Sequence, residues 1–233
     1  MMCGRFALTL PVDAMAQLFS AVPANNLPPL PSYNICPTND ICTVIHTDQR
    51  RLIAMRWGFM PHWYKSPDDR PLLINARAET LAEKPAFRSA ARERRCLIPA
   101  SGFYEWTVGE DGKRLPWYIC RPDGEPLVFA GIWQKWEGDG KVLTTCAIVT
   151  TNANKSLSKI HDRIPVVLDS EDWGLWLGEK GKGAALLMHA PPEDMLCAYR
   201  VSTDINSNRA QRPQLITPIG KQPTRKGHPN RMA

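Results

Sequence analysis

The sequence predicts an α+β fold: one domain around a central antiparallel sheet or open β-barrel, with short helices on its flanks. Three observations carry this expectation. Residues 103–108, 117–120, 127–136 and 142–150 are runs rich in β-branched and aromatic residues. Asp111-Gly112, Asp123-Gly124 and Gly138-Asp139-Gly140 punctuate those runs as reverse turns. Four strands joined so briefly read as an antiparallel meander, because parallel neighbours need a long crossover. Elsewhere, helical periodicity persists only over short stretches.

The remaining elements follow in order. Pro11 opens an amphipathic helix whose apolar positions are Val12, Met15, Leu18 and Phe19. Residues 24–32 are proline-rich and read as an extended connection. Residues 42–45 and 52–55 are short strands separated by a polar turn, and 65–71 form a loop. Residues 78–95 have helical composition interrupted at Pro85. Segments 153–160 and 170–177 read as short helices, the second with Ser170 as N-cap and Glu171 and Asp172 in its first turn. Residues 164–168 form a further strand. No repeat or linker divides the chain, so we expect one domain over 2–220 and a basic, disordered tail over 221–233.

Composition narrows the class. With 43% hydrophobic and 22% charged residues the chain sits near the globular average, which excludes an intrinsically disordered protein. No window approaches eighteen uninterrupted apolar residues, and no secretory leader opens the chain, so the expected setting is the cytosol, with no membrane partner. After Gly220 the chain holds four Lys/Arg and no acid, so most of the formal charge of +6 belongs to the tail. The pI of 9.0 is therefore a weak argument for a nucleic-acid partner. Seven cysteines without a Cys-x-x-Cys pair describe neither a disulfide framework nor a zinc site, and no metal or other cofactor is expected. Cys36, Cys42, Cys96, Cys120 and Cys146 lie in or beside apolar runs and read as small core residues; Cys197 stays open.

Four features carry chemistry. If the residues before it are removed, Cys3 presents an amine and a thiol on adjacent carbons. An aldehyde condenses with such an amine, and the thiol closes the imine to a thiazolidine; an α-amine of pKa about 7.7–8.0 is partly nucleophilic at neutral pH. Glu105 stands among aromatics in Phe103-Tyr104-Glu105-Trp106, where desolvation raises a carboxyl pKa. His161 lies between a helix and a strand in Ile160-His161-Asp162-Arg163 and suits acid–base work. Ile74-Asn75-Ala76-Arg77 offers an amide that can orient an amine and a guanidinium suited to phosphate. Singly, each also has an ordinary structural reading: an early cysteine by coincidence, a solvent-face glutamate, a satisfied histidine.

Together these segments resemble the SOS response-associated peptidase (SRAP) family, from Cys3 to about Ile216. The resemblance rests on Cys3-Gly4-Arg5-Phe6, Tyr33-Asn34 with Pro37-Thr38, Trp57-Gly58-Phe59, Ile74-Asn75-Ala76-Arg77 with Glu79-Thr80, the run 99–106, Thr150-Thr151, and Ile160-His161-Asp162-Arg163 with Pro165. It implies a compact α+β domain that forms a covalent thiazolidine with abasic sites in single-stranded DNA. Cys3 is then the nucleophile, Asn75 orients its amine, and Glu105 and His161 are the acid–base pair. Arg5, Arg77 and Arg163 grip the backbone, Trp63 and Trp106 lie near the damaged nucleotide, and Asn34 and Thr151 join the same interface. Tyr64 is added as the aromatic beside Trp63.

The implied protein is a monomer, cytoplasmic and nucleoid-associated when bound to damaged DNA. β-Elimination, a lyase reaction, competes at the imine. The start Met1-Met2 leaves two routes to a terminal Cys3: translation from Met2, which is favoured, or self-removal of the extension. Two rival readings are an N-terminal-nucleophile cysteine peptidase or amidohydrolase, and a non-enzymatic single-stranded nucleic-acid-binding module.

Overall fold

A computed structural model describes residues 3–24, 26–67 and 71–220. The predicted tail lies outside the described residues. Strand β1 (Phe6–Leu8) leads into helix α1 (Val12–Phe19), which Pro11 precedes and Ser20 ends in the left-handed region at φ 48°. Met15 and Phe19 of α1 are buried and Val12 packs beside the core, but Leu18 is 38% exposed. Strands β2 (Val22–Pro23), β3 (Ser32–Ile35), β4 (Asp40–His46) and β5 (Arg50–Trp57) follow, with β4 and β5 forming the expected hairpin. Next come β6 (Asn75–Arg77), α2 (Arg88–Glu93), β7 (Arg95–Ala100), β8 (Gly102–Val108), β9 (Arg114–Cys120), β10 (Leu127–Gly138) and β11 (Lys141–Asn152). Strand β12 (Arg163–Pro165), helix α3 (Trp173–Leu177) and β13 (Cys197–Arg200) complete the order.

The strands fall into two sheets. One has the order β13-β9-β8-β1-β3; the other runs β12-β11-β10-β7-β4-β5-β2. Parallel pairing of β5 with β11, Arg56 opposite Thr145 and Trp57 opposite Cys146, closes β11, β10, β7, β4 and β5 into a five-stranded barrel. Closure removes the exposed edges that an open sheet would leave. The predicted meander therefore resolves into two hairpins, β8–β9 and β10–β11, that lie in different sheets. The turn Asp123-Gly124 changes sheet instead of reversing one, a choice that local turn chemistry does not encode. The sheet is also less purely antiparallel than expected, since β2–β5, β5–β11 and β6–β11 are parallel.

Two predicted helices shrink. Segment 153–160 keeps only a 3₁₀ turn, Leu157–Lys159, and α3 begins at Trp173 with Asp172, not Ser170, before it. Trp173 and Trp176 are buried in this short helix, so packing fixes its ends more strongly than capping does.

Aromatic rings join the two sheets. Phe6 meets Trp57 edge-on at 5.2 Å and Phe129 at 6.1 Å, while Phe103 meets Phe129 at 5.9 Å. Trp57 also donates its indole N–H to the Ile74 carbonyl at 3.0 Å, which holds the start of β6 against the barrel. Among the described residues, no helix is long and apolar enough to cross a membrane.

Gly102 sets how closely β8 approaches β9. A Cβ there would stand 2.4 Å from the Tyr118 ring and 2.7 Å from the Ile119 carbonyl oxygen. The backbone oxygen cannot swing aside as a flexible side chain does. Gly102→Ala should therefore destabilise the fold by about 1–3 kcal/mol, the usual range for overpacking. Denaturant unfolding midpoints of the two proteins check this.

Candidate functional site

The pairing of β1 with β8 assembles the site. Phe6 lies opposite Phe103, and the Tyr104 N–H donates to the Arg5 carbonyl at 2.9 Å. Two residues before Arg5, the Cys3 N–H donates to Glu105 Oε1 at 2.7 Å. Both residues are sealed from solvent, Cys3 at 0% and Glu105 at 2% exposure. From the other sheet, Asn75 Nδ2 donates to the Cys3 carbonyl at 3.4 Å. Its position follows from β6, where Asn75 pairs in parallel with Ile148 of β11. Glu105 and Asn75, from different sheets, thus converge on the backbone of Cys3.

The electrostatics of this cluster have clear causes. Burial pushes the Glu105 carboxyl from its ordinary 4.5 up to about 7, against downward pulls from the Cys3 N–H and the Arg114 guanidinium. Asp162 adds a smaller upward push, which brings the His161 loop within electrostatic reach of Glu105. Burial also raises the Cys3 thiol well above its ordinary value, and the Glu105 charge raises it further. Cys3 is therefore a neutral thiol at neutral pH. It lacks the cationic setting that makes a cysteine a standing thiolate.

His161 has a partner in either charge state. Its Nδ1 stands 3.0 Å from the Arg163 nitrogen, 3.2 Å from the Arg163 carbonyl oxygen and 3.0 Å from Asp162 Oδ1: without a proton it accepts from the first, and with one it donates to either oxygen. One ring nitrogen cannot do both at once, so accepting and donating belong to alternative states.

The arginines divide in two. Arg163 is buried and its guanidinium is committed: Nη1 to Glu79 Oε1 and Asn152 Oδ1, both 2.7 Å, and Nη2 to Glu79 Oε2 at 2.9 Å and the Thr150 carbonyl at 2.7 Å. Expected at the DNA backbone, it instead ties Glu79 to Asn152 and Thr150 through Nη1 and Nη2, while its buried Nε has no hydrogen-bond partner among the described residues. This bidentate pair holds Glu79 below the usual carboxylate range. Asn34 is likewise an interior tie and not an open contact. It is 1% exposed, accepts from Arg5 Nη1 at 2.8 Å, and donates to the Ser207 and Ala210 carbonyls at 3.0 and 2.7 Å. Thr151 is buried opposite Ile164. Arg77, by contrast, is exposed at the end of β6.

Arg5 also donates to the Ile205 carbonyl at 2.9 Å and to Asn208 Oδ1, so its orientation is fixed from the segment after β13. Its guanidinium lies 5.7 Å from the Trp106 ring centre, and Arg114 lies closer, at 4.6 Å. The Trp106 indole N–H donates to Asn206 Oδ1 at 2.7 Å. Trp63, 48% exposed, and Tyr64 ride separately on the connection after β5, where the Tyr64 carbonyl accepts from the Trp136 indole at 2.9 Å. Arg114, Asn206 and Asn208 had no place in the sequence reading. The β8–β9 register, Val108 opposite Arg114 and Trp106 opposite Pro116, is the signal that could have found Arg114.

The sequence profile described as SOS response associated peptidase (SRAP) matches residues 2–208. The chain belongs to this family. Abasic site processing protein YoqW of Bacillus subtilis is 38% identical over 224 residues, covering 92% of this chain and 99% of that protein. Abasic site processing protein YedK of Escherichia coli is 30% identical over 227 residues, covering 94% and 100%. A crystal structure of a protein from Bacteroides thetaiotaomicron superposes with a TM-score of 0.81, covering 93% of this chain and all of that one at 24% identity, and shares the fold. Membership in the SRAP family agrees with the α+β domain and barrel read above.

The raised Glu105 carboxyl has a stability consequence. Its folded pKa of about 7 exceeds its ordinary 4.5, so folding takes up a proton between those values. Stability is highest below that window and falls as pH rises through it. Between pH 5 and 8 the protein should lose on the order of 3 kcal/mol that Glu105→Gln does not lose. Thermal unfolding of both at the two pH values measures the difference; equal slopes would refute the assignment.

Proposed function

We propose that this protein processes abasic sites in single-stranded DNA by forming a thiazolidine between the lesion's aldehyde and Cys3. One observation carries the reading: the nitrogen of Cys3 sits 2.7 Å from a buried carboxyl that titrates near neutrality. Once Cys3 is terminal, that nitrogen is an α-amine in direct contact with a carboxyl that can take its proton. The relatives named abasic site processing proteins supply the substrate class.

The steps balance as follows. The abasic deoxyribose is mostly a closed hemiacetal, and ring opening needs a donor at the ring oxygen and a base at the hydroxyl, roles for Glu105 and His161. The Cys3 amine adds to the aldehyde carbon, and loss of one water gives an imine. The thiol then adds to the imine carbon, its proton passing to the nitrogen, and the five-membered ring closes. Asn75, holding the Cys3 carbonyl, fixes the amine's direction. Ring closure removes the imine that would otherwise permit β-elimination. A high thiol pKa suits this order, because the amine attacks first and the sulfur is needed only within the ring. The same pKa disfavours a cysteine peptidase that attacks a foreign amide as thiolate.

Exposure of Cys3 has a chemical route within the site. Addition of water to the carbonyl carbon between Met2 and Cys3 makes the Cys3 nitrogen the departing group; Glu105, beside it, can deliver the proton it needs, and Met2 leaves as a carboxylate. Intact mass of the purified protein states where the chain begins.

The reading is tested with abasic single-stranded DNA and denaturing electrophoresis. Wild type should give a covalent band and Cys3→Ala none, while both bind the strand. Binding without any covalent band from a protein beginning at Cys3 would overturn crosslinking and leave a non-covalent binder.

Arg114 extends the interface. Stacked on Trp106 and exposed, it presents a guanidinium where a phosphate or base would lie. Arg114→Ala should weaken binding about 3- to 30-fold, the worth of one cation–π and phosphate contact, without abolishing the adduct at saturating DNA. Fluorescence anisotropy against crosslink yield separates the two effects.

A further inference from the structure

Cys120 and Cys197 stand directly opposite each other on the antiparallel pair β9 and β13, with their sulfurs 3.8 Å apart as two thiols. Both are half-buried, whereas Cys3, Cys42, Cys96 and Cys146 are buried. Cys120, expected in the core, thus lies half-buried beside the edge strand β13, where a small molecule can reach the pair. The pair also has suitable backbone spacing. The Val201 N–H donates to the Pro116 carbonyl at 3.2 Å, so alternation along the ladder makes Cys197 and Cys120 a hydrogen-bonded pair. Such pairs have Cα atoms about 5.5 Å apart, inside the span a disulfide bridges. On the same face, the Tyr118 and Tyr199 rings pack at 5.7 Å and hold the two strands in register.

We propose that Cys120 and Cys197 form a redox modification site that closes to a disulfide on meeting a peroxide. One thiol, as thiolate, attacks a peroxide oxygen and becomes a sulfenic acid as the O–O bond breaks and water leaves. The second sulfur displaces the sulfenic hydroxyl as a further water, and the S–S bond forms. Two thiols lose two electrons and two protons; one hydrogen peroxide becomes two waters.

The place of the bond gives it a consequence. From β13 the chain passes through Val201 into the 3₁₀ turn Thr203–Asn206. That turn supplies the Ile205 carbonyl that holds Arg5 and the Asn206 side chain that holds Trp106. A covalent tie between β9 and β13 anchors this segment to the hairpin that carries Glu105 and Trp106. The site rests on the β9–β13 geometry and stands or falls separately from the reading of Cys3.

The test treats the full chain with hydrogen peroxide, removes the excess with catalase, alkylates under denaturing conditions and maps peptides without reduction. One linked peptide pair should join Cys120 to Cys197, with a loss of about 2 Da that dithiothreitol reverses. Cys120→Ser and Cys197→Ser should each abolish it, and the wild-type map decides the matter even if a variant folds poorly. Independent oxidation of the two sulfurs to sulfinic acids would overturn the proposal. So would a disulfide found only between two molecules, or full alkylation of both residues while other cysteines oxidise.

Discussion

A single hydrogen bond, from the Cys3 N–H to the buried Glu105 carboxyl at 2.7 Å, is the constraint around which the site is arranged. A carboxyl with 2% exposure needs a donor, and a backbone N–H already brought to that depth by strand pairing supplies one. The β1–β8 ladder does that work: with Phe6 opposite Phe103, the chain before Arg5 must run past Glu105. The bond does not cancel the cost of burial, as the carboxyl pKa near 7 shows. That residual strain on the charged form suits Glu105 to proton transfer, since a carboxyl with its ordinary acidity would be a weaker base and would hardly ever hold a proton to give near neutrality.

The second half of the site comes from the barrel, and β11 is its spine. Along one edge β11 holds β6 in parallel, which delivers Asn75 and Arg77; along the other it holds β12, which delivers Arg163 next to the His161 loop. Neither β6 nor β12, three residues each, would persist without that partner. The Arg163–Glu79 pair then ties the segments following β6 and preceding β12 together across the strand they share. Arg163 acts through this clamp on the position of His161. Arg77 and Arg114, by contrast, are exposed, so the free guanidinium surface beside the site is narrow and local.

Local patterns were legible in the sequence and distant pairings were not. The spacing of Met15 and Phe19 showed α1, and the glycine turns showed the β8–β9 and β10–β11 hairpins, because those signals lie within a few residues of the elements they set. The sheet change at Asp123-Gly124 depends on which face of β9 finds β13, nearly eighty residues later, and no turn residue records that. For the site, the resemblance pointed to Cys3, Asn75 and Glu105, and the structure brings those three into contact. It could not separate an exposed arginine from one that meets Glu79, since residue type is the same and burial decides. Arg114 went unnoticed for the opposite reason: an exposed arginine on a turn-flanking strand position looks like solvated surface until the register stacks it on Trp106.

The state of the Cys3 sulfur distinguishes the chemistry this site favours from that of a cysteine hydrolase. A hydrolytic cysteine is made nucleophilic by a nearby cation that stabilises the thiolate, and its backbone amine has no necessary part. Here the nearest titrating neighbour is a carboxyl, burial raises the thiol further, and the histidine loop reports through Asp162 rather than through a cation beside sulfur. Every one of these features penalises attack by sulfur first. Once Cys3 is terminal, its nitrogen has a proton acceptor already in hydrogen-bond contact. A site that holds the nitrogen of a cysteine in reach of a base while keeping its sulfur protonated is suited to an electrophile that needs both in sequence, and an aldehyde is the simplest carbon centre that does.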